Sequence, residues 1–240
     1  MVDQDLSSIW IYLSASPLTG LTVTLFAYVI SFRLFQQFNN NPLLHPVVTA
    51  LCLIIVFLLV TDTGYDAYFE GGQFVHFLLG PATVALAIPL YQQWPKIKKL
   101  WLPLSITLLG GAFIAGTSAV VIAQAMGGSL ETQLSMAPKS VTAPVAMAIS
   151  EQLGGLPSLT AVLVVITGVM GAVFGTRVLS MLGISDDAAK GVAMGITAHG
   201  IGTARAFQVS REMGAFSGLA MATSTLVTAL MLPWLVDKLI

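Results

Sequence analysis

Apolar stretches nearly free of charge recur along almost the whole chain, and each is about as long as a bilayer is thick. Leu18–Phe38, His45–Thr61, Phe74–Tyr91, Leu100–Ala125, Leu156–Leu182 and Ala215–Val236 are separated by polar turns or by longer interrupted segments. About 20 apolar residues in a helix cross a hydrocarbon core of roughly 30 Å. Inside that core every backbone polar group must be satisfied within the protein, which leaves helices or closed barrels. Segments of this length without strand-like alternation select helices. Only 9% of the 240 residues are charged, against about 25% in soluble domains. The expected fold class is therefore an all-α polytopic membrane protein, a single integral membrane transport domain over residues 1–240. Residues 1–16 are expected to be a short interfacial segment anchored by Trp10 and Tyr12. The acidic start lacks the basic region of a cleaved signal peptide, so the first span is expected to act as the membrane signal. A net charge of −1 leaves no nucleic-acid footprint. The single cysteine, Cys52, excludes an intrachain disulfide and a thiolate metal cluster.

Two segments break this pattern. Ser135–Ser150, SMAPKSVTAPVAMAIS, places Pro138 and Pro144 in an apolar run, with Lys139, Ser140 and Thr142 around them. Proline removes a backbone N–H and clashes with the preceding turn, and freed backbone at membrane depth is tolerated only beside protein or a wet cavity. A lysine there is costly enough to mark a site; the alternative is a loop lysine that snorkels to the headgroups. The second segment, Thr197–Gln208, reads TAHGIGTARAFQ. Gly200 and Gly202 permit a tight turn or close ligand approach, and Thr203 can cap the following half-helix. Arg205 offers a fork matched to a carboxylate, set against a plain topological arginine. His199 is read as a hydrogen-bonded packing residue in preference to a proton-linked switch. Glu151 is a helix-end carboxylate, His45 and His76 are interface residues, and Thr83 in the kinked Gly80–Tyr91 element is a minor candidate. Metal, phosphate-loop and nucleophile-elbow motifs are missing, so neither an enzyme nor a cofactor is expected.

Pro81 and Pro138, Val84 and Val141, and Gly111 and Gly168 are each 57 residues apart. SEQLGG at Ser150 and SREMGA at Ser210 are 60 apart. Each unit reads as one spanning helix plus one broken segment, the pattern of an inverted-repeat transporter. The basic-residue rule puts Arg33 and Lys96–Lys99 in the cytoplasm. Two topologies then compete. If every segment crosses, Arg177 and Lys190 fall outside; if the last two broken segments are re-entrant hairpins, both lie inside with Arg211. The rule favours hairpins entering from opposite faces. Lys139, Ser140, Thr142, Thr203 and Arg205 are then expected to meet near the bilayer midplane beside Gly200 and Gly202, forming a site for a small anionic solute with His199 also counted among the binding residues.

The stretches FLLGPATVALAIPLY, APKSVTAPVAMAIS, GAVFG and AMGITAHGIGTARA are similar to signature stretches of the LrgB/CidB family of antiholin-like, YohK-type membrane proteins. The resemblance runs from about residue 18 to 236. Phe207-Gln208 departs from the polar residues that often follow the arginine. The resemblance implies a multi-pass protein of the bacterial inner membrane, working with a smaller holin-like partner of the LrgA/CidA type and assembling as a homo-oligomer, a dimer. It also implies one of two functions. Bacterial members modulate murein hydrolase export and lysis. Plastid relatives fused to an LrgA-like part carry glycolate and glycerate, and some bacterial pairs are linked to pyruvate uptake. A carboxylate transporter is the expected function, because a scaffold has no need of polar residues at paired helix breaks.

Overall fold

The computed structural model describes residues 16–41 and 44–239; Trp10, Tyr12 and Pro42 of the Asn39–Pro42 turn lie outside them. All elements among these residues are helices. Five stretches are long and apolar enough to cross a membrane: Leu18–Gln37, Tyr65–Gln92, Trp101–Ala125, Pro157–Met181 and Arg211–Lys238, with Pro46–Val60 a shorter apolar helix. The chain is thus an all-α polytopic membrane protein.

Internal packing divides the chain after Ala85. The first unit contains α1 (Pro17–Gln37), α2 (Pro46–Val60), α3 (Tyr65–Phe77) and α4 (Leu79–Ala85). Proline opens α1 and α2, where its missing N–H has no helical partner to lose. Gly20 of α1 lies against the Tyr68 backbone carbonyl of α3, an approach no larger residue permits, and Thr24 and Tyr68 share a hydroxyl hydrogen bond of 2.7 Å. The side chain of Thr83 is outside the described structure.

The second unit contains α5 (Ala87–Gln92), α6 (Trp94–Lys99), α7 (Trp101–Ala125), α8 (Leu130–Met136), α9 (Ala143–Leu153), α10 (Pro157–Met181), α11 (Asp187–Val209) and α12 (Arg211–Leu239). The interruptions near Pro81 and Pro89 fall at Leu78 and Leu86, three residues before each ring, because a proline cannot donate to the carbonyl four residues back. α12 begins four residues earlier than Ala215 and runs through Pro233.

Two apolar clusters hold this unit together. At one end Leu104 and Leu108 of α7 meet Val192 and Ile196 of α11 and Phe216 of α12. At the other, Val120 of α7 meets Leu134 and Ile149 of α8 and α9 and Leu232 of α12. α7 and α12 therefore run side by side in the same direction, and the two broken segments pack at opposite ends of that pair. At the first end Lys96 pairs with Asp186 at 3.2 Å and with Glu212. The Glu212 carboxylate, and then Asp186, raises the Lys96 pKa above its ordinary value. The Ala189 N–H, and then Lys96, holds the Asp186 carboxyl below its own. Lys96–Lys99 and the α10–α11 connection thus share one end of the unit.

Candidate functional site

The first broken segment is a hairpin. Ser129 caps α8 by accepting from the Thr132 N–H at 3.3 Å, supplying a partner for one orphan donor of the first turn. The chain leaves helical geometry from Ala137 to Thr142, and α9 then returns, ending on Gly154 in the left-handed conformation (φ 88°), as a glycine C-terminus favours. A buried polar cluster fixes both arms to the first turn of α10. The Leu156 N–H donates to Ser135 Oγ at 2.8 Å. Thr160 Oγ1 lies 3.0 Å from the Ser135 carbonyl and 2.7 Å from Ser150 Oγ. The hairpin therefore enters where α10 begins.

The second broken segment, α11, is a hairpin from the other end. Asp186 caps it, accepting from the Ala189 N–H at 2.8 Å. Its two ends come together where Ser210 Oγ donates to Asp187 Oδ2 at 2.6 Å. Small residues on α10 receive it. Met194 sits on Gly175 and Ala198 on Gly171, and a Cβ on Gly168 would fall 2.7 Å from the His199 ring. The turn is at His199 (φ 40°, ψ −131°), one residue before the glycines expected to provide it. A histidine with positive φ is strained unless its surroundings hold it. Here Nε2 donates to the Val164 carbonyl at 2.9 Å, and the His199 carbonyl accepts from Thr203 Oγ1 at 2.7 Å. Gly200 and Gly202 lie in the returning helix instead. Gly202 fits closely against Ala198 and the Met194 carbonyl, whereas Gly200 is nearly open, with Met221 Sδ at 3.9 Å.

The two hairpins are related by a constant displacement. Ser129 and Asp186, the caps, are 57 residues apart, and so are Ala143 and Gly200, where the returning arms begin. They enter from opposite ends of α10, and their tips meet on it. Val141 packs with Val164, the residue whose carbonyl holds His199. At 1.5 Å per residue, α10 is about 38 Å long, and Val164–Gly168 lies near its middle.

A cavity of about 480 Å³ opens beside the tips. Lys139 and Ser140 line it from the first hairpin, Thr197 from the second, Thr107 and Ser118 from α7, and Thr167 from α10. Ser140 and Thr197 are again 57 residues apart. Lys139 Nζ reaches Ser140 Oγ at 3.4 Å and takes part in no ion pair among the described residues. The helix ends at each tip oppose one another, one C-terminal and one N-terminal, so their dipoles largely offset. Lys139 sets the sign of the site.

The remaining expected residues stand around this cavity or apart from it. Thr142 is the N-cap residue of α9, half-buried and without a side-chain capping bond. His199 is buried behind the tip. Thr203 is buried against α12, 2.9 Å from Ser217 Oγ. Arg205 does not line the cavity. It lies farther along the returning arm, where Nη1 donates to Gln208 Oε1 at 3.0 Å and the charge of Arg177 acts on it. The reason is helical rise: six residues past the turn carry it about 9 Å back toward the entry end. Thr107, Ser118, Thr167 and Thr197 were not singled out from sequence. Their only signal is a hydroxyl in an apolar run, which a bond to the preceding turn explains equally well.

The LrgB-like family matches residues 24–237. The holin-like protein CidB of Staphylococcus epidermidis is 33% identical over 225 residues, covering 94% of this chain and 97% of its own. The uncharacterized protein YwbG of Bacillus subtilis is 34% identical over 220 residues, 92% and 97% of the two chains. The antiholin-like protein LrgB of Bacillus cereus is 32% identical over 218 residues, 91% and 95%. No solved structure matches the chain.

Proposed function

The chain belongs to the LrgB-like family, and from that premise and the cavity at the hairpin tips we propose that it binds a small organic carboxylate and carries it across the bacterial inner membrane. The observation that carries this reading is Lys139, a cation without an ion-pair partner among the described residues, facing a cavity between two helix breaks. Charge at membrane depth is expensive unless it serves a substrate, an ion or a partner. One cation with hydroxyls on three sides suits one carboxylate of a hydroxy- or keto-acid of the pyruvate, glycolate or glycerate class. Ser140 and Thr197 supply hydroxyl hydrogen bonds, while Thr142, His199, Gly200, Gly202 and Thr203 shape the tips. Binding where two inverted hairpins meet is the arrangement that alternating access uses.

A second reading is an antiholin-like modulator of murein hydrolase export and lysis, acting with an LrgA/CidA-type membrane partner. The names of the relatives, holin-like CidB and antiholin-like LrgB, favour this reading over transport. Uptake of labelled pyruvate, glycolate and glycerate into proteoliposomes separates the two. The expected result is saturable uptake of at least one of them by this protein, alone or with its holin-like partner. No uptake in either preparation removes the transport reading and leaves the modulator.

A further inference from the structure

A second basic group lies at the other end of the second hairpin. Thr176, Arg177, Ser180, Met181, Lys190 and Val209 enclose a cavity of about 570 Å³ between the end of α10 and the two arms of α11. Arg205 stands beside it, close enough to feel the charge of Arg177. None of Arg177, Lys190 and Arg205 takes part in an ion pair among the described residues. The Nε of Arg205 is buried without a hydrogen-bond partner. Three cations gathered around one hollow repel each other, and a buried guanidinium N–H without an acceptor adds a desolvation cost. An oxyanion in the hollow would relieve the repulsion.

The surroundings say which kind of oxyanion. Met170, Phe174, Val178 and Met181 form a ridge along α10 leading to this cavity, and they are 53%, 42%, 49% and 87% exposed. Thr176, Ser180 and the three cations lie at its polar end. An apolar ridge ending in cations and hydroxyls matches a phospholipid, with acyl chains along the ridge and phosphate at the cations. Basic pockets of this kind on the cytoplasmic side hold anionic headgroups, and the basic-residue rule places this end there. We propose that Arg177, Lys190 and Arg205 form a binding site for the phosphate headgroup of an anionic phospholipid, separate from the Lys139 cavity.

The test uses the full chain in a neutral detergent, with thermal unfolding and native mass spectrometry as readouts. Phosphatidylglycerol is expected to raise Tm and remain bound, and phosphatidylcholine is expected to do neither. Arg205→Gln and Lys190→Gln should each weaken phosphatidylglycerol binding about fivefold, the scale of one basic residue near an anionic surface. Lys99→Gln removes the same charge at the same end of the unit but outside this cavity, and should leave binding unchanged. Variants are compared only as monodisperse preparations of unaltered helical content, and native mass spectrometry reads lipid retention independently of their own Tm. Equal stabilisation by phosphatidylcholine, an equal loss in Lys99→Gln, or a Tm rise produced by inorganic phosphate alone would each overturn the assignment.

Discussion

Lys139→Ala is expected to abolish carboxylate uptake by the reconstituted protein and to leave its membrane insertion and helical content intact. Lys139 is the charged residue that lines the cavity at the hairpin tips, and the opposed helix ends there contribute little net potential. Truncating one partner of a desolvated charge pair costs about 2–5 kcal/mol, so uptake should fall at least about thirtyfold. Lys139→Arg keeps the charge but replaces a compact ammonium by a planar fork, and it should retain part of the activity. Ser140→Ala removes one hydroxyl hydrogen bond to a charged group, worth about 1.5–3 kcal/mol, and should cost about tenfold or more. Initial-rate uptake in proteoliposomes measures all three. Wild-type rates in Lys139→Ala would show that the solute passes elsewhere.

Gly195→Val should be strongly destabilising in the second unit. A Cβ at Gly195 would run into the Ser217 carbonyl and come within 2.9 Å of the Met221 nitrogen, both backbone atoms of α12. Gly191, four residues earlier, lies equally close to the Met213 carbonyl. Together they make a small-xxx-small face on which α12 packs. Overpacking against side chains costs about 1–3 kcal/mol. Here two backbones must separate, so the loss should reach or pass the top of that range, and Tm should drop accordingly. Gly200→Ala is the contrast. Its nearest neighbour would be Met221 Sδ at 3.9 Å, and its stability should change little or rise by about 0.4–1 kcal/mol. Similar Tm values for the two variants would contradict the packing described.

These two variants also mark what can be read from residues alone. The first hairpin is legible because Pro138 and Pro144 break a helix wherever it lies, and Lys139 between them signals a site. The second hairpin has no proline. Gly200 and Gly202 looked like its turn, but the break is at His199, fixed by a bond to Val164 on another helix, and no local pattern predicts such a tertiary contact. Arg205 was expected beside Lys139 because both lie in broken segments; only the position of the turn decides how far the returning arm carries it. The repeat shows the same limit. Gly111 lies in α7 and Gly168 in α10, the spanning helices that precede the two hairpins, so that pair marks related places. Pro81 lies inside α4 and Pro138 at a tip, so that pair does not. The equivalence is carried by roles, Ser129 and Asp186 as caps and Ser140 and Thr197 at the cavity, which differ in residue type.

Occupation of the cavity at the hairpin tips by a small carboxylate is read by substituted-cysteine accessibility with solute protection. In a Cys52→Ala background, Ser140→Cys and Thr197→Cys are each exposed to a water-soluble, negatively charged methanethiosulfonate reagent. Both positions should react. A carboxylate present at ten times its dissociation constant should slow the reaction about tenfold, by simple occupancy. Failure of both positions to react, or reaction at an unchanged rate in saturating pyruvate, glycolate and glycerate, would contradict it.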